Sequence, residues 1–357
     1  MRLMRTLTRR QMLVSLPALA LAPRITAARP FAAVQAGDAA APPIRARTLN
    51  HFGIAVADPK RSIDFYQGLF GLPIVARQES TTILRVGAGP QFLAIAAVAS
   101  GAAPSITHYC LGVENFNVDR LLATLAQHGV TKGGAVAPMK VNVTSRDDNT
   151  RELAFGDPDG IECQLQDVSY CGGTGPLGNV CKTPKPSPKK GLIALRDMSH
   201  MTIFSTDSAR SNKFYQDLFG FSIRSYQGPP GTAPTLAVGP SVQFLMFTGG
   251  GASARGGAPA APPRPASINH GCMSMDAFKP DAVLKTLESF GIKPREGAQG
   301  PVGPMRHYVT MRMENRGGAP NGTPELYFTD PDGLLMQLQD TSYCGGSGFL
   351  GDVCPKT

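Results

Sequence analysis

The stretch Phe155–Cys181, FGDPDGIECQLQDVSYCGGTGPLGNVC, returns at Phe328–Cys354 as FTDPDGLLMQLQDTSYCGGSGFLGDVC. The likeness extends upstream. LNHFGIAVADPKRSIDFYQGLFGLPIV recurs as MSHMTIFSTDSARSNKFYQDLFGFSIR, carrying His51 onto His200 at an offset of 149, and SITHYCLGV recurs as SINHGCMSM, carrying His108 onto His270 at an offset of 162. Asp157, Cys171 and Cys181 return as Asp330, Cys344 and Cys354 at an offset of 173. Self-similarity over such lengths marks a duplication with two insertions in the second copy. They fall at GGGASARGGAPAAPPRPA and around ENRGGAPNGTP, tracts without a core-forming pattern that are expected to be loops at the rim of the second copy.

At 357 residues two domains are expected. The boundaries follow from the repeat: a first domain over 46–181, a Pro/Lys linker over 182–195 (KTPKPSPKKG at its heart) that is expected neither to pair nor to pack easily, and a second domain over 196–354. Residues 1–36 precede both. They open with a basic region, run into the apolar stretch from Met12 to Ala22 and end in small residues, the pattern of a cleaved export signal. Arg9 and Arg10 before the apolar stretch give it a twin-arginine character, so a periplasmic or secreted location is expected, with no membrane attachment after cleavage. Six arginines and no acid lie in this segment, so its removal takes the formal net charge from +9 to +3. The basic balance is mostly a sorting feature, and nucleic-acid binding loses its support.

Each copy splits again. A strand around His51 is followed by an amphipathic helix from Pro59 to Phe70, closed by Gly71, and by the strand runs TTILRVG and QFLAIAAV. A second unit starts at the strand around His108, continues through the helix VDRLLATLAQHG and ends with strands on either side of DPDG. Successive strand side chains alternate between faces. Phe52, Ile54 and Val56 therefore share an apolar face, while His51 lies opposite with Gly53 and Ala55. By the same alternation His108 lies opposite Tyr109 and Leu111, and Gln164 opposite Cys163 and Leu165. A lone strand histidine is more often a satisfied structural group than a ligand. Here four of the six histidines fall at matched positions in both copies, which four independent accidents do not explain.

The segments NHFGIAVADPKRSIDFYQGLFG and SHMTIFSTDSARSNKFYQDLFG, with DPDG before each last strand, resemble the vicinal oxygen chelate superfamily of glyoxalases, extradiol ring-cleaving dioxygenases and bleomycin and fosfomycin resistance proteins. The resemblance covers nearly all of the chain beyond the signal. It implies an α+β fold in which each domain joins two βαβββ modules into one cupped mixed sheet, with a divalent metal in the cup. The implied ligands are His51, His108 and Gln164 in the first copy and His200, His270 and Gln337 in the second. Where the family usually has a glutamate both copies have glutamine, which leaves the site more positive and weakens its hold on a hard cation.

LYFTDPDGLLMQ is similar to the extradiol signature, with Tyr327 in the place of the substrate-binding tyrosine; the first copy has Ala154 there. His307 is the nearest candidate for the family's further histidine, an acid or base if it folds back into the cup. The resemblance implies Fe2+ for an oxygenase acting on a small catechol-like substrate, and Zn2+, Mn2+ or Ni2+ for a glyoxalase-like lyase or isomerase; a small-molecule-binding protein without turnover is the third possibility. A monomer or homodimer is expected. In an exported chain the frame C-G-G-x-G-x-L-G-x-V-C predicts two local disulfides, Cys171–Cys181 and Cys344–Cys354. Cys110 and Cys272 are expected to be small buried fillers beside the histidines, and Cys163 inert on the apolar face.

Overall fold

The computed structural model describes residues 41–229, 231–249, 265–297 and 302–355. The expected export signal lies outside the described residues, as does most of the Gly/Ala/Pro insertion. The first half contains β1 (Ala46–Val56), α1 (Pro59–Phe70), β2 (Ile74–Gln78), β3 (Thr81–Arg85), β4 (Phe92–Ala97), β5 (Ser105–Val113), α2 (Val118–Gln127), β6 (Thr131–Lys132), β7 (Lys140–Ser145), β8 (Arg151–Gly156) and β9 (Glu162–Asp167). The second half repeats them as β10 (Leu195–Phe204), α3 (Ser208–Phe219), β11 (Ile223–Tyr226), β12 (Pro234–Ala237), β13 (Phe244–Thr248), β14 (Ser267–Met275), α4 (Pro280–Ser289), β15 (Lys293–Pro294), β16 (Arg306–Arg312), β17 (Thr323–Thr329) and β18 (Leu335–Asp340). Each half is one nine-stranded mixed sheet, in the orders β2-β3-β4-β1-β5-β9-β8-β7-β6 and β11-β12-β13-β10-β14-β18-β17-β16-β15. The fold is therefore the expected α+β tandem, with the two modules of each half joined along β1/β5 and β10/β14.

Local chemistry sets the helix limits. Asp58 accepts a hydrogen bond from the Arg61 amide, Pro59 fits the first helical position, and Gly71 ends α1 at φ 68°. Asp207 and Gly220 do the same for α3. In each DPDG turn the first aspartate folds the backbone on itself: Asp157 Oδ1 accepts from the amides of Asp159 and Ile161, and Asp330 Oδ1 from those of Asp332 and Leu334.

The third turn residue serves the other half. Asp159 binds Ser205 Oγ at 2.7 Å and the Arg210 guanidinium at 2.5 Å, at the start of α3. Asp332 binds Arg61 at 2.6 Å and Ser62 Oγ at 3.3 Å, on α1. The helices are thus held between the backs of both sheets. Phe65 and Phe70 of α1 lie 6.4 and 5.9 Å from Phe328, ring centre to ring centre, and Tyr66 donates to Asp330 Oδ2 at 3.2 Å. Phe214 of α3 lies 6.1 Å from Phe155, and the Tyr109 and Tyr215 hydroxyls bond each other. One continuous apolar core runs through both halves as a result.

The linker pairs after all. Ile74 and Lys185 exchange backbone hydrogen bonds, and the Leu192 amide donates to Leu69 O at 2.7 Å. Its prolines cost it regular structure, yet the free edge of β2 still has groups to satisfy. Cys171–Cys181 and Cys344–Cys354 are each at disulfide distance and separated by ten residues in sequence. Closing a loop of that length is worth about 3 kcal/mol through the unfolded chain.

Candidate metal and substrate cups

Three adjacent strands aim the matched polar residues at one place. In the first half β1, β5 and β9 align His51, Cys110 and Gln164 in a row, with Gly53 next to His108. His51 lies flat on Phe92 at 4.1 Å and edge-on to His108 at 5.4 Å. In the second half β10, β14 and β18 align His200, Cys272 and Gln337, with His200 4.3 Å from Phe244 and 5.5 Å from His270. The sequence-predicted groups are thus brought together twice. Cys110 and Cys272 form the floor between histidine and glutamine; both are fully buried, and burial pushes their thiols up, so they stay protonated. Cys163 is buried on the opposite face.

Gly53 is required by the cup: a β-carbon there would collide with the His108 ring. Gly53→Ala is expected to destabilise by about 1–3 kcal/mol and to displace His108. Metal or ligand binding should then fall in the first cup and persist in the second, as competition between His51→Ala and His200→Ala backgrounds would reveal.

The preceding residue orients each imidazole. Asn50 Oδ1 lies 2.8 Å from His51 Nδ1, while Asn50 Nδ2 donates to Tyr170 O at 2.9 Å. Thr107, Ser199 and Asn269 hold Nδ1 of His108, His200 and His270 at 2.9, 3.2 and 2.7 Å. An amide oxygen only accepts, so His51 and His270 carry their proton on Nδ1 and turn an Nε2 lone pair into the cup. Metal-binding histidines are oriented in this manner.

Burial lowers the pKa of all four imidazoles, that of His108 and His270 to about 4, which keeps them neutral at physiological pH. His200 Nε2 and Gln337 Oε1 are 2.9 Å apart. By the same rule His200 donates its Nε2–H to the Gln337 amide oxygen in this structure, and an ion held between the two would take that proton's place. His270 Nε2 is buried with no hydrogen-bond partner among the described residues. A divalent ion would satisfy it, so the residues present fit such an ion, with two imidazoles and a neutral amide as donors.

A wall of each cup was not foreseen from sequence. Tyr170 donates to Glu152 at 2.8 Å and receives from Gln78 at 3.2 Å, while Arg146 bonds Glu152 and, at 2.7 Å, Gly173 O. Tyr343, Glu325, Gln227 and Arg312 repeat the arrangement, with Arg312 on Gly346 O at 2.8 Å. These glycines belong to the cysteine-closed loops, and the tyrosine rings lie 5.8 Å from His51 and 5.6 Å from His200. Matched position, the signal that singled out the histidines, was available for the tyrosine, the glutamate and the glutamine, though not for the arginine, which lies between the two insertions.

The cups differ in what fills them. The first opens into a cavity of about 510 Å³ bordered by Asn142, Ala154 and Glu162. Strand register sets Tyr308, Tyr327 and Leu335 at the corresponding places of the second. Tyr327 enters the second cup, edge-on to His270 at 5.3 Å and stacked on Tyr308 at 5.1 Å.

His307 does not join it, which corrects the expectation of a cup acid or base. It pairs with Phe328 in β16/β17, the register of buried Val141 against Phe155, and so points to the back of the sheet. There it is nearly buried, 3.2 Å from Glu288 of α4.

The model of the Glyoxalase/Bleomycin resistance protein/Dioxygenase superfamily matches residues 48–165 and again 197–338. The chain belongs to that superfamily, as a tandem of two vicinal oxygen chelate domains. Among solved structures, a catechol 2,3-dioxygenase is similar with 15% identity and TM-score 0.55, over 85% of this chain and 88% of that one. The Mn(II)-bound glyoxalase from Novosphingobium aromaticivorans is similar with 17% identity and TM-score 0.53, over 83% and 82%. Homoprotocatechuate 2,3-dioxygenase from Arthrobacter globiformis is similar with 16% identity and TM-score 0.54, over 84% and 81%. At these identities the likeness is one of fold. No curated protein sequence is significantly similar to the chain.

Proposed function

We propose that the chain is an exported, metal-dependent oxidoreductase whose second cup binds a small catechol-like substrate and directs extradiol-type ring opening by dioxygen. The observation that carries this is the convergence of His200, His270 and Gln337 with the buried, unpartnered His270 Nε2 beside Tyr327. A bound divalent ion, Fe2+ first and Zn2+, Mn2+ or Ni2+ as alternatives, would supply Lewis acidity at the two substrate oxygens. The protein's part is to hold neutral imidazoles in a fixed tautomer, to stack a flat ring near Tyr308 and to exclude water. Tyr327 is the group to donate a hydrogen bond to a substrate oxygen; burial raises its pKa, so it remains a phenol. The two cysteine pairs at disulfide distance support an oxidising compartment, and no helix among the described residues is long and apolar enough to cross a membrane.

The test is oxygen consumption by the Fe2+-loaded chain with a panel of catechols, together with elemental analysis of the protein purified without chelators. Tyr327→Phe should lower kcat/KM by about 10–100-fold with metal content unchanged. An oxygen electrode that stays silent for every catechol tried on metal-replete protein removes the oxygenase.

One observation favours a second chemistry. The first cup has Ala154 in place of the tyrosine and places the Glu162 carboxylate in its wall, an arrangement suited to a glyoxalase-like lyase or isomerase. Isomerase activity abolished by His51→Ala and indifferent to His200→Ala would identify it.

A further inference from the structure

The carboxylate missing at position 164 stands two residues earlier on the same strand, in the first half alone. The β5/β9 register sets Glu162 directly beside His108 and Gln164 beside Cys110. Residues two apart on a strand share a face, and neighbouring strands lie about 4.8 Å apart. Glu162 accordingly leaves the sheet next to the His108 side chain, on the cup side, and borders the cavity together with His51, His108 and Gln164.

Among the described residues it has neither a hydrogen bond nor an ion pair. Its carboxylate therefore faces the cavity rather than a protein partner, open to a cation that enters there. In the second half the same register sets uncharged Leu335 beside His270, since Gly271 pairs with Met336 and Cys272 with Gln337.

Resting on the reading that the cups hold a divalent metal, we infer that Glu162 is the anionic metal ligand of the first cup. His51, His108 and Glu162, with the Gln164 amide at hand, then form the tighter cation site, and the all-neutral set of the second cup the weaker one. Two imidazoles with one carboxylate suit a divalent transition metal, and ligand charge is a main determinant of its affinity. Among the described residues no three His, Cys, Asp or Glu side chains already converge on one point. The set is therefore not assembled in this structure, and closing it would require at least that Glu162, which no hydrogen bond or ion pair among the described residues holds, turn toward the histidines. The duplication has thereby produced two unequal sites: an open polar cup with its own negative charge, and a cup lined by tyrosines that relies on neutral donors.

The test is Mn2+ titration of the chelator-treated full-length mature chain, following free Mn2+ by electron paramagnetic resonance. The parent should bind two ions with affinities at least about ten-fold apart. Glu162→Leu, which copies the second cup, should remove the tight phase and leave two weak ones; Glu162→Gln should do the same and guards against a folding defect. Leu335→Glu should turn the weak phase into a second tight one. A tight phase unchanged within two-fold by both Glu162 variants, or lost only with His270→Ala, overturns the inference while leaving metal binding intact. A parent that binds no Mn2+ overturns both the inference and the metal reading beneath it.

Discussion

Replacing Arg312 with alanine should lower stability by about 3–5 kcal/mol, far more than the same change at Arg146. Arg312 is fully buried and spends its guanidinium on three acceptors, each at 2.8 Å: Glu325 Oε1, Gly317 O and Gly346 O. Without it the Glu325 carboxyl group, only 4% exposed, is left with the Thr310 and Tyr343 hydroxyls as partners. Two carbonyls from different loops also lose their donor. Arg146 retains 23% side-chain exposure, so water can solvate what its removal uncovers, and about 1 kcal/mol is expected there. Urea denaturation of the two variants decides the matter; equal losses would mean that the buried network of the second half does not anchor its cup wall.

In metal-free protein, the double variant Asp157→Asn/Asp330→Asn should lose about 5 kcal/mol more than the parent between pH 7 and pH 4. Two opposed sets of buried groups produce this difference. His108 and His270 have their pKa lowered from 6.5 to about 4, chiefly by burial. The folded chain binds these protons more weakly than the unfolded one, so their support is full above pH 6.5 and is lost on the way down to 4. Burial raises Asp157 and Asp330 from 3.8 to about 6. The folded chain binds these protons more tightly, so the aspartates destabilise it above pH 6 and relieve it as pH falls towards 3.8. Each is worth about 3 kcal/mol. In the parent the two trends oppose each other. Asparagine retains the turn's accepting oxygen while removing the titration, which leaves the histidines to act alone. Parallel pH profiles for parent and variant would refute this balance.

Much of this was legible because the duplication wrote each informative residue twice. The helix Pro59–Phe70, its glycine stop and the opposed faces of Phe52 and His51 follow from period and capping, which are local. The place of His307 is not legible because its strand follows one insertion and precedes another, so its register cannot be counted from sequence; only pairing with Phe328 places it behind the sheet. Tyr170 and Tyr343 are illegible for another reason: they sit beside cysteines, and the disulfide frame is a sufficient account of the loop without a role for its tyrosine in a wall. The exchange of Asp159 and Asp332 between halves was not visible either, since DPDG has a sufficient local role as a turn.

That exchange bears on how the gene can be cut. Because α1 and α3 are each clasped by the opposite half, a chain truncated at the linker would expose the Phe155 or Phe328 surface along with an unbound turn aspartate. Two such fragments, supplied as separate chains, would be expected to find each other and restore the pair, as a swapped dimer does when its tether is removed. The unit of inheritance is therefore one two-module domain written twice, whereas the unit expected to fold is the pair.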